Sequence, residues 1–214
     1  TVALHVENLS WGNRVKNVSF DVHEGEIVGM AGLIGAGRTE TVRLIAGITQ
    51  PTQGTITLYG KPVLFRTARS AIRAGIGLLP EDRKKQGIVP LLPVSVNASL
   101  PVLGKFRRAT FVDNSARISV VKRAAEQVNL RPPNIMRPIR NFSGGNQQKA
   151  ILARWLVADS RLVIFDEPTR GIDVAAKVEI YNLMNRLKKS GIGVMFVSSE
   201  LPEVLGMSDR IIVM

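Results

Sequence analysis

The chain has 214 residues, 45% of them hydrophobic, with 19 glycines and 11 prolines, which fits one globular domain and excludes intrinsic disorder and collagen-like repeats. Cysteine is absent and histidine occurs only as His5 and His23, so a disulfide framework, a thiolate metal site and a zinc site are all excluded. The net charge of +12 sits in the middle third, where Lys61 to Arg140 holds 16 of the 29 Lys/Arg but only four of the 17 acids. Such a basic middle suits phosphates of nucleic acid, lipid headgroups, an acidic protein, or a solvated helical face.

Val2, Leu4 and Val6 alternate, as do Val18, Phe20 and Val22, which predicts a hairpin-like β layer before the turn at Glu24-Gly25. Ile27 to Ala31 is a short apolar run entering a glycine-rich loop, and Thr39 to Ala46 reads as a helix stopped by Gly47. A strand at Gly54–Tyr59, a short helix at Ala68–Arg73 and a strand at Ile76–Leu79 follow. The most apolar stretch, Ile88 to Leu103, is broken by three prolines well short of the roughly 20 residues of a membrane span, and no signal peptide opens the chain. From Ser95 to about Leu130 the spacing of Ile118, Val121, Ala125 and Val128 is helical, so the basic middle reads as an all-helical subdomain over about 88–140. Ser143 opens a helix to about Ala158, and the apolar run Leu162–Phe165 reads as a buried parallel strand. A helix at Val174–Lys189, a strand at Gly193–Val197, a short helix at Glu200–Leu205 and a strand at Ile211–Val213 complete an α/β pattern with a parallel sheet.

Three stretches carry chemistry. Gly32-Leu33-Ile34-Gly35-Ala36-Gly37-Arg38-Thr39 has the spacing of a phosphate-binding loop, with Arg38 where lysine is expected. Glycines let successive N–H groups converge, the following helix adds its positive end, and Thr39 offers a hydroxyl to Mg²⁺. Taken alone, the loop also fits a plain strand-to-helix turn. Asp166 and Glu167 end an apolar strand, where one carboxylate suits water-mediated Mg²⁺ binding and the other suits orienting an attacking water. Acids at strand ends are also common turn formers. Ser143-Gly144-Gly145-Asn146-Gln147-Gln148 pairs an N-capping serine with free N–H donors at a helix start, a cradle for a terminal phosphate.

Together these elements resemble an ATP-binding cassette (ABC) nucleotide-binding domain over essentially the whole chain. The resemblance makes Ser143–Gln148 the signature motif, Asp166-Glu167 the Walker B end and Gly171-Ile172-Asp173 the D-loop. Gly32–Glu40, Pro80–Lys84, Asp166–Asp173 and Ser198–Glu203 further resemble the C-terminal cassette of monosaccharide importers, in which two cassettes share one polypeptide. The resemblance implies an ABC ATPase fold, a RecA-like parallel core with an antiparallel β layer and an inserted helical subdomain, and a single domain over 1–214 belonging to a longer polypeptide. It implies ATP and Mg²⁺ as cofactors, with Gly32 to Glu40 and Ser143 to Gln147 at the nucleotide and Thr39 and Asp166 at the metal. It also implies an adenine-stacking aromatic for which Trp11 fits, although packing on the β layer suits Trp11 equally.

Relative to the general family pattern, Arg38 replaces lysine, Glu81 replaces the Q-loop glutamine and Ser199 replaces the switch histidine beside the catalytic Glu167. These departures predict a site that binds ATP with little turnover, while the intact signature completes the site of a second cassette. The implied partners are that cassette, transmembrane permease subunits and, indirectly, a periplasmic sugar-binding protein, at the cytoplasmic face of the inner membrane. Arg83, Lys84, Lys85, Arg107, Arg108, Lys122 and Arg123 are expected to face the membrane subunits or lipid. A nucleic-acid-associated ABC ATPase is the alternative, but the interval between Arg38 and Ser143 has room for a helical subdomain only, so no specific nucleic acid is expected. A regulatory nucleotide-binding module without turnover is a third reading.

Overall fold

The computed structural model describes residues 1–214. The first half comprises β1 (Val2–Trp11), β2 (Val15–His23), β3 (Ile27–Ala31), α1 (Arg38–Ile45), β4 (Gln53–Leu58), β5 (Lys61–Val63), α2 (Ala68–Arg73), β6 (Ile76–Leu79) and α3 (Val94–Ser99). Then follow β7 (Arg107–Arg108), β8 (Phe111–Val112), α4 (Asn114–Gln127), α5 (Gly144–Val157), β9 (Leu162–Asp166), α6 (Val174–Lys189), β10 (Gly193–Val197), α7 (Leu201–Met207) and β11 (Arg210–Val213). A π-helical turn at Arg83–Gly87 and a 3₁₀ segment at Leu100–Phe106 flank α3.

The central sheet has the order β11-β3-β10-β9-β6 and all its pairings are parallel. Its inner strands carry apolar residues on both faces, as a sheet covered on both sides requires. Alternation along the strands divides them between two cores. Val163, Phe165, Val194 and Phe196 join the core shared with α3, α4, α5 and α6. Leu162, Ile164, Met195 and Val197 join the core shared with α1, α2 and the antiparallel sheet, whose order is β2-β1-β4-β5. The chain reverses from strand to helix at the carboxyl ends of the parallel strands, and open α/β sheets bind ligands along that edge.

Side-chain caps set several helix starts. Asp113, Ser143 and Asp173 each accept a hydrogen bond from the backbone N–H three residues on, fixing α4, α5 and α6. The insertion between β6 and α5 differs from the all-helical expectation. Arg107–Val112 forms a two-stranded hairpin whose turn residue Ala109 has φ 53, and α4 begins only after it. Two-residue strands leave no periodicity to read, and the same holds for the exposed three-residue β5.

Candidate functional site

The phosphate loop leaves β3 at Gly32 and enters α1 through Gly37, the N-cap, whose φ of 92 is in the left-handed region. A Cβ at Gly37 would run into the carbonyl of Arg14, so the turn needs glycine both for its conformation and for its neighbour. Leu33 and Ile34 stand out into solvent at the loop's crest, Ile34 being 94% exposed. Glu40, in the first turn of α1, is engaged by Arg14 Nη1 at 2.7 Å; partial burial opposes its ionisation, but this bond and the surrounding charge hold its carboxyl below the usual range.

Thr39 and Asp166 come together across the sheet edge, with Thr39 Oγ1 donating to Asp166 Oδ1 at 3.2 Å. Asp166 is 3% exposed, and burial pushes its carboxyl up to about 7, with the nearby Glu81 and Glu167 adding to the rise against Thr39 and Arg38. Burial therefore outweighs the Thr39 hydrogen bond and the Arg38 charge at this carboxyl. No group of three His, Cys, Asp or Glu side chains is arranged to hold a metal ion. A hydroxyl plus one carboxylate is nevertheless the protein's usual share of a Mg²⁺ site completed by phosphates and water, so the donor set fits that ion.

Arg38 departs from the expectation carried by the loop spacing. Its side chain is 8% exposed, and Nη1 donates to the carbonyl of Ser198 at 2.6 Å while Nη2 lies 3.8 Å from Glu167 Oε1. The other oxygen of Glu167, Oε2, accepts from Ser199 Oγ at 3.1 Å. Glu167 thus accepts one hydrogen bond, from Ser199, and lies beside the Arg38 charge without a hydrogen bond from it. Ser198 is itself fixed, donating through Oγ to Glu203 Oε2 at 2.9 Å, and Glu203 also accepts from Thr169 at 2.7 Å and Lys177 at 2.8 Å. This buried network beneath the site was not read from the sequence; its only signal is the Glu200–Glu203 run after a strand.

Glu81, at the end of β6, is ion-paired with Arg170. Arg83, expected to face outward, turns inward: it donates to the carbonyls of Arg170 at 3.1 Å and Gly171 at 3.4 Å, and its Nε meets Gln147 Oε1 at 3.4 Å. Backbone acceptors at the D-loop draw its guanidinium in, so the outward expectation fails for Arg83 while Lys84, Lys85, Arg107, Arg108, Lys122 and Arg123 are exposed.

At the other helix start, Ser143 is exposed and its Oγ accepts from Asn146. A Cβ on Gly144 would lie 2.6 Å from the Arg83 guanidinium, and one on Gly145 would lie 2.7 Å from Ala176 Cβ. Asn146 Oδ1 accepts from the Arg131 N–H at 2.8 Å, and Gln147 turns its amide inward to the carbonyls of Phe142 and Ile139. The motif's side chains thus bond to their own surroundings and not to the chain's own phosphate loop, and Ser143 is the most exposed of them. Trp11 is half-buried against the β-layer core, and the opening of about 510 Å³ beside Gly35 and Ala36 is lined by Arg14, Lys16 and Met214 but not by Trp11.

A second opening, of about 400 Å³, lies between α1, β6 and the helical insertion, with Ile48, Ile72, Leu78, Trp155 and Pro101 on its walls. Arg43 and Arg154 also line it, as do Thr39 and Asp166, so it opens onto the nucleotide site. Arg154 is 9% exposed and donates through Nε to the Asn97 carbonyl at 2.9 Å; burial pulls its guanidinium down to about 10.

A family model described as ABC transporter matches residues 15–170. The chain belongs to the ABC transporter family. It is 49% identical over 213 residues to a putative ribose/galactose/methyl galactoside import ATP-binding protein of Burkholderia cenocepacia, covering 99% of this chain and 41% of that protein. It is 48% identical over 211 residues to the ribose import ATP-binding protein RbsA of Corynebacterium glutamicum, covering 99% and 40%. The chain therefore spans about two-fifths of the length of these relatives. Among solved structures, a nucleotide-free ATP-binding cassette from an ABC transporter superposes with a TM-score of 0.87 at 18% identity, covering 100% of this chain and 88% of that one. A dimeric bacterial ABC transporter cassette gives 0.81 at 22%, covering 99% and 94%.

Proposed function

We propose that this chain is an ATP-binding, energy-coupling cassette of a monosaccharide importer, holding Mg²⁺ and ATP on its own loop and completing the hydrolytic site of a second cassette. The observation that carries the nucleotide reading is the pairing of half-buried Thr39 with buried Asp166 at the mouth of the Gly32–Gly37 turn. The loop N–H groups and the start of α1 bind phosphate, and Thr39 and Asp166 would hold Mg²⁺, whose charge screens the phosphate oxygens. Glu167 is placed to orient water, but Ser199 donates to one of its oxygens and the Arg38 charge lies 3.8 Å from the other, which makes it a weaker base and supports slow turnover at the chain's own site. Exposed Ser143 and the N–H groups at the start of α5 are available to a nucleotide brought by another molecule, and exposed Leu33 and Ile34 support a partner surface over the loop.

The names of the relatives support sugar import as the process and the cytoplasmic face of a membrane as the place. The exposed cations Lys84, Lys85, Arg107, Arg108, Lys122 and Arg123 support docking of a permease subunit, through which a sugar-binding protein is engaged indirectly. Titration with a fluorescent ATP analogue and Mg²⁺ tests the nucleotide reading. Thr39→Ala should weaken Mg²⁺-dependent binding at least tenfold and leave metal-free binding within about twofold, as loss of one ligand to a divalent cation predicts. Equal binding by both proteins in Mg²⁺ would overturn it.

A further inference from the structure

In the basic middle third, the most exposed large apolar side chain, Phe111, lies on the β7–β8 hairpin beside two arginines. Arg107 pairs with Val112 and Arg108 with Phe111 across the ladder. The turn is closed by Arg107 Nε donating to the Ala109 carbonyl at 2.7 Å, and the base is pinned by the Asp113 N–H donating to the Phe106 carbonyl at 2.8 Å, with Phe106 in the main core. A fixed ribbon therefore holds Arg107, Arg108, Phe111 and Val112 out in solvent, Phe111 being 78% exposed. No acid occurs between Asp82 and Asp113. The acids nearby are already engaged: Asp113 caps α4, and Asp159 takes Lys105 at 2.6 Å. Neither Arg107 nor Arg108 has a carboxylate partner within the chain.

We propose that this hairpin is a lipid-contacting element, in which Arg107 and Arg108 meet the phosphates of an anionic bilayer surface and Phe111 enters the boundary between headgroups and acyl chains. The proposal rests on the reading that the chain works beside a membrane subunit. Arg107 and Arg108 are among the exposed cations read as facing that subunit, and the 3₁₀ segment Leu100–Phe106 runs directly into β7. One aromatic and one valine are far below the roughly 800 Å² per partner of a stable protein interface, whereas an aromatic flanked by uncompensated cations suits a planar anionic surface.

Flotation of the 214-residue chain tests this, with vesicles of phosphatidylcholine alone or with roughly one-third phosphatidylglycerol, each basic residue at such a surface being worth about fivefold in partitioning. Arg107→Gln with Arg108→Gln should reduce binding to the anionic vesicles roughly 30-fold, and Phe111→Ser roughly tenfold. Lys122→Gln with Arg123→Gln, the same charge change on the exposed face of α4, should cost less than threefold. Equal losses from the two arginine and lysine sets, or no loss from Phe111→Ser, would overturn the proposal in favour of general electrostatic adsorption. Phe111-dependent binding to a single-stranded RNA, or Phe111-dependent retention of the permease with unchanged vesicle binding, would overturn it in favour of those partners. Nucleotide titration of the same variants separates the two claims. Retained ATP affinity with failed flotation removes only the hairpin proposal, while wild-type protein that does not bind ATP removes the cassette reading.

Discussion

Arg38→Ala is predicted to act on stability far more than on nucleotide affinity, because its guanidinium is turned into the protein. At 3.8 Å from Glu167, with both side chains about nine-tenths buried, the charge–charge attraction is about 4 kcal/mol at an effective dielectric of about 20. Removing one member of such a pair strands the other, at a typical cost of ~3–5 kcal/mol, and here Glu167 would be left beside Asp166 with no cation. Regained hydration of the opened site reduces this, so a net loss of about 2–4 kcal/mol is expected, with a fall in Tm of roughly 4–16 °C for a domain of this size. Urea unfolding of wild type, Arg38→Ala, Glu167→Gln and the double variant forms a cycle whose coupling should be about 2 kcal/mol. ATP affinity of Arg38→Ala should fall less than about fivefold, the guanidinium having its bonds elsewhere. Additive stabilities with a loss of ATP affinity beyond a hundredfold would refute the inward arrangement and return Arg38 to the phosphates.

Two further perturbations probe the surrounding framework. Glu26 is held down to about 2, chiefly by its hydrogen bond from Arg210, with burial opposing and His23 assisting. Its folded value is below the unfolded one, so the stability it contributes is present above about pH 4.5 and is lost as pH falls toward 2. The stability difference between wild type and Glu26→Gln, followed by urea unfolding against pH, should be flat above that range and shrink below it; a pH-independent difference would count against the ion pair. Glu203→Gln should cost about 2–3 kcal/mol in the same assay by making neutral the bonds from Thr169, Ser198 and Lys177, and no change in stability would contradict the buried network.

Much of this arrangement is legible in the sequence because the elements that build it are long or strongly patterned. The run Leu162–Phe165 reads as a covered strand, and Gly32–Thr39, Asp166-Glu167 and Ser143–Gln148, each ambiguous alone, are distinctive in combination and order. Ala68–Arg73 and Val174–Lys189 lie within the bounds expected from periodicity and their stop residues. What escaped reading depends on tertiary neighbours. Whether Arg38 and Arg83 point out or in is decided by the Ser198, Arg170 and Gly171 carbonyls, which lie far away along the chain. Trp11 could stack on a base or pack on the β layer by composition alone; its contact with the second core is a consequence of β1–β2 register. The close approach of Gly145 to Ala176 is equally invisible, and it makes a bulky substitution there a test of packing before it is a test of chemistry.

The proposed division of labour between two cassettes is tested most directly by steady-state ATP turnover of this chain assembled with its partner cassette, carrying Ser143→Ala or Glu167→Gln. Ser143 is exposed and its replacement removes only a helix cap, about 1 kcal/mol, so the fold survives. The account predicts that Ser143→Ala lowers turnover roughly 10²-fold, the usual effect of losing one donor to the reacting phosphate, while Glu167→Gln leaves it within about twofold. Turnover abolished by Glu167→Gln and untouched by Ser143→Ala would contradict it, and would make this chain's own loop the working site.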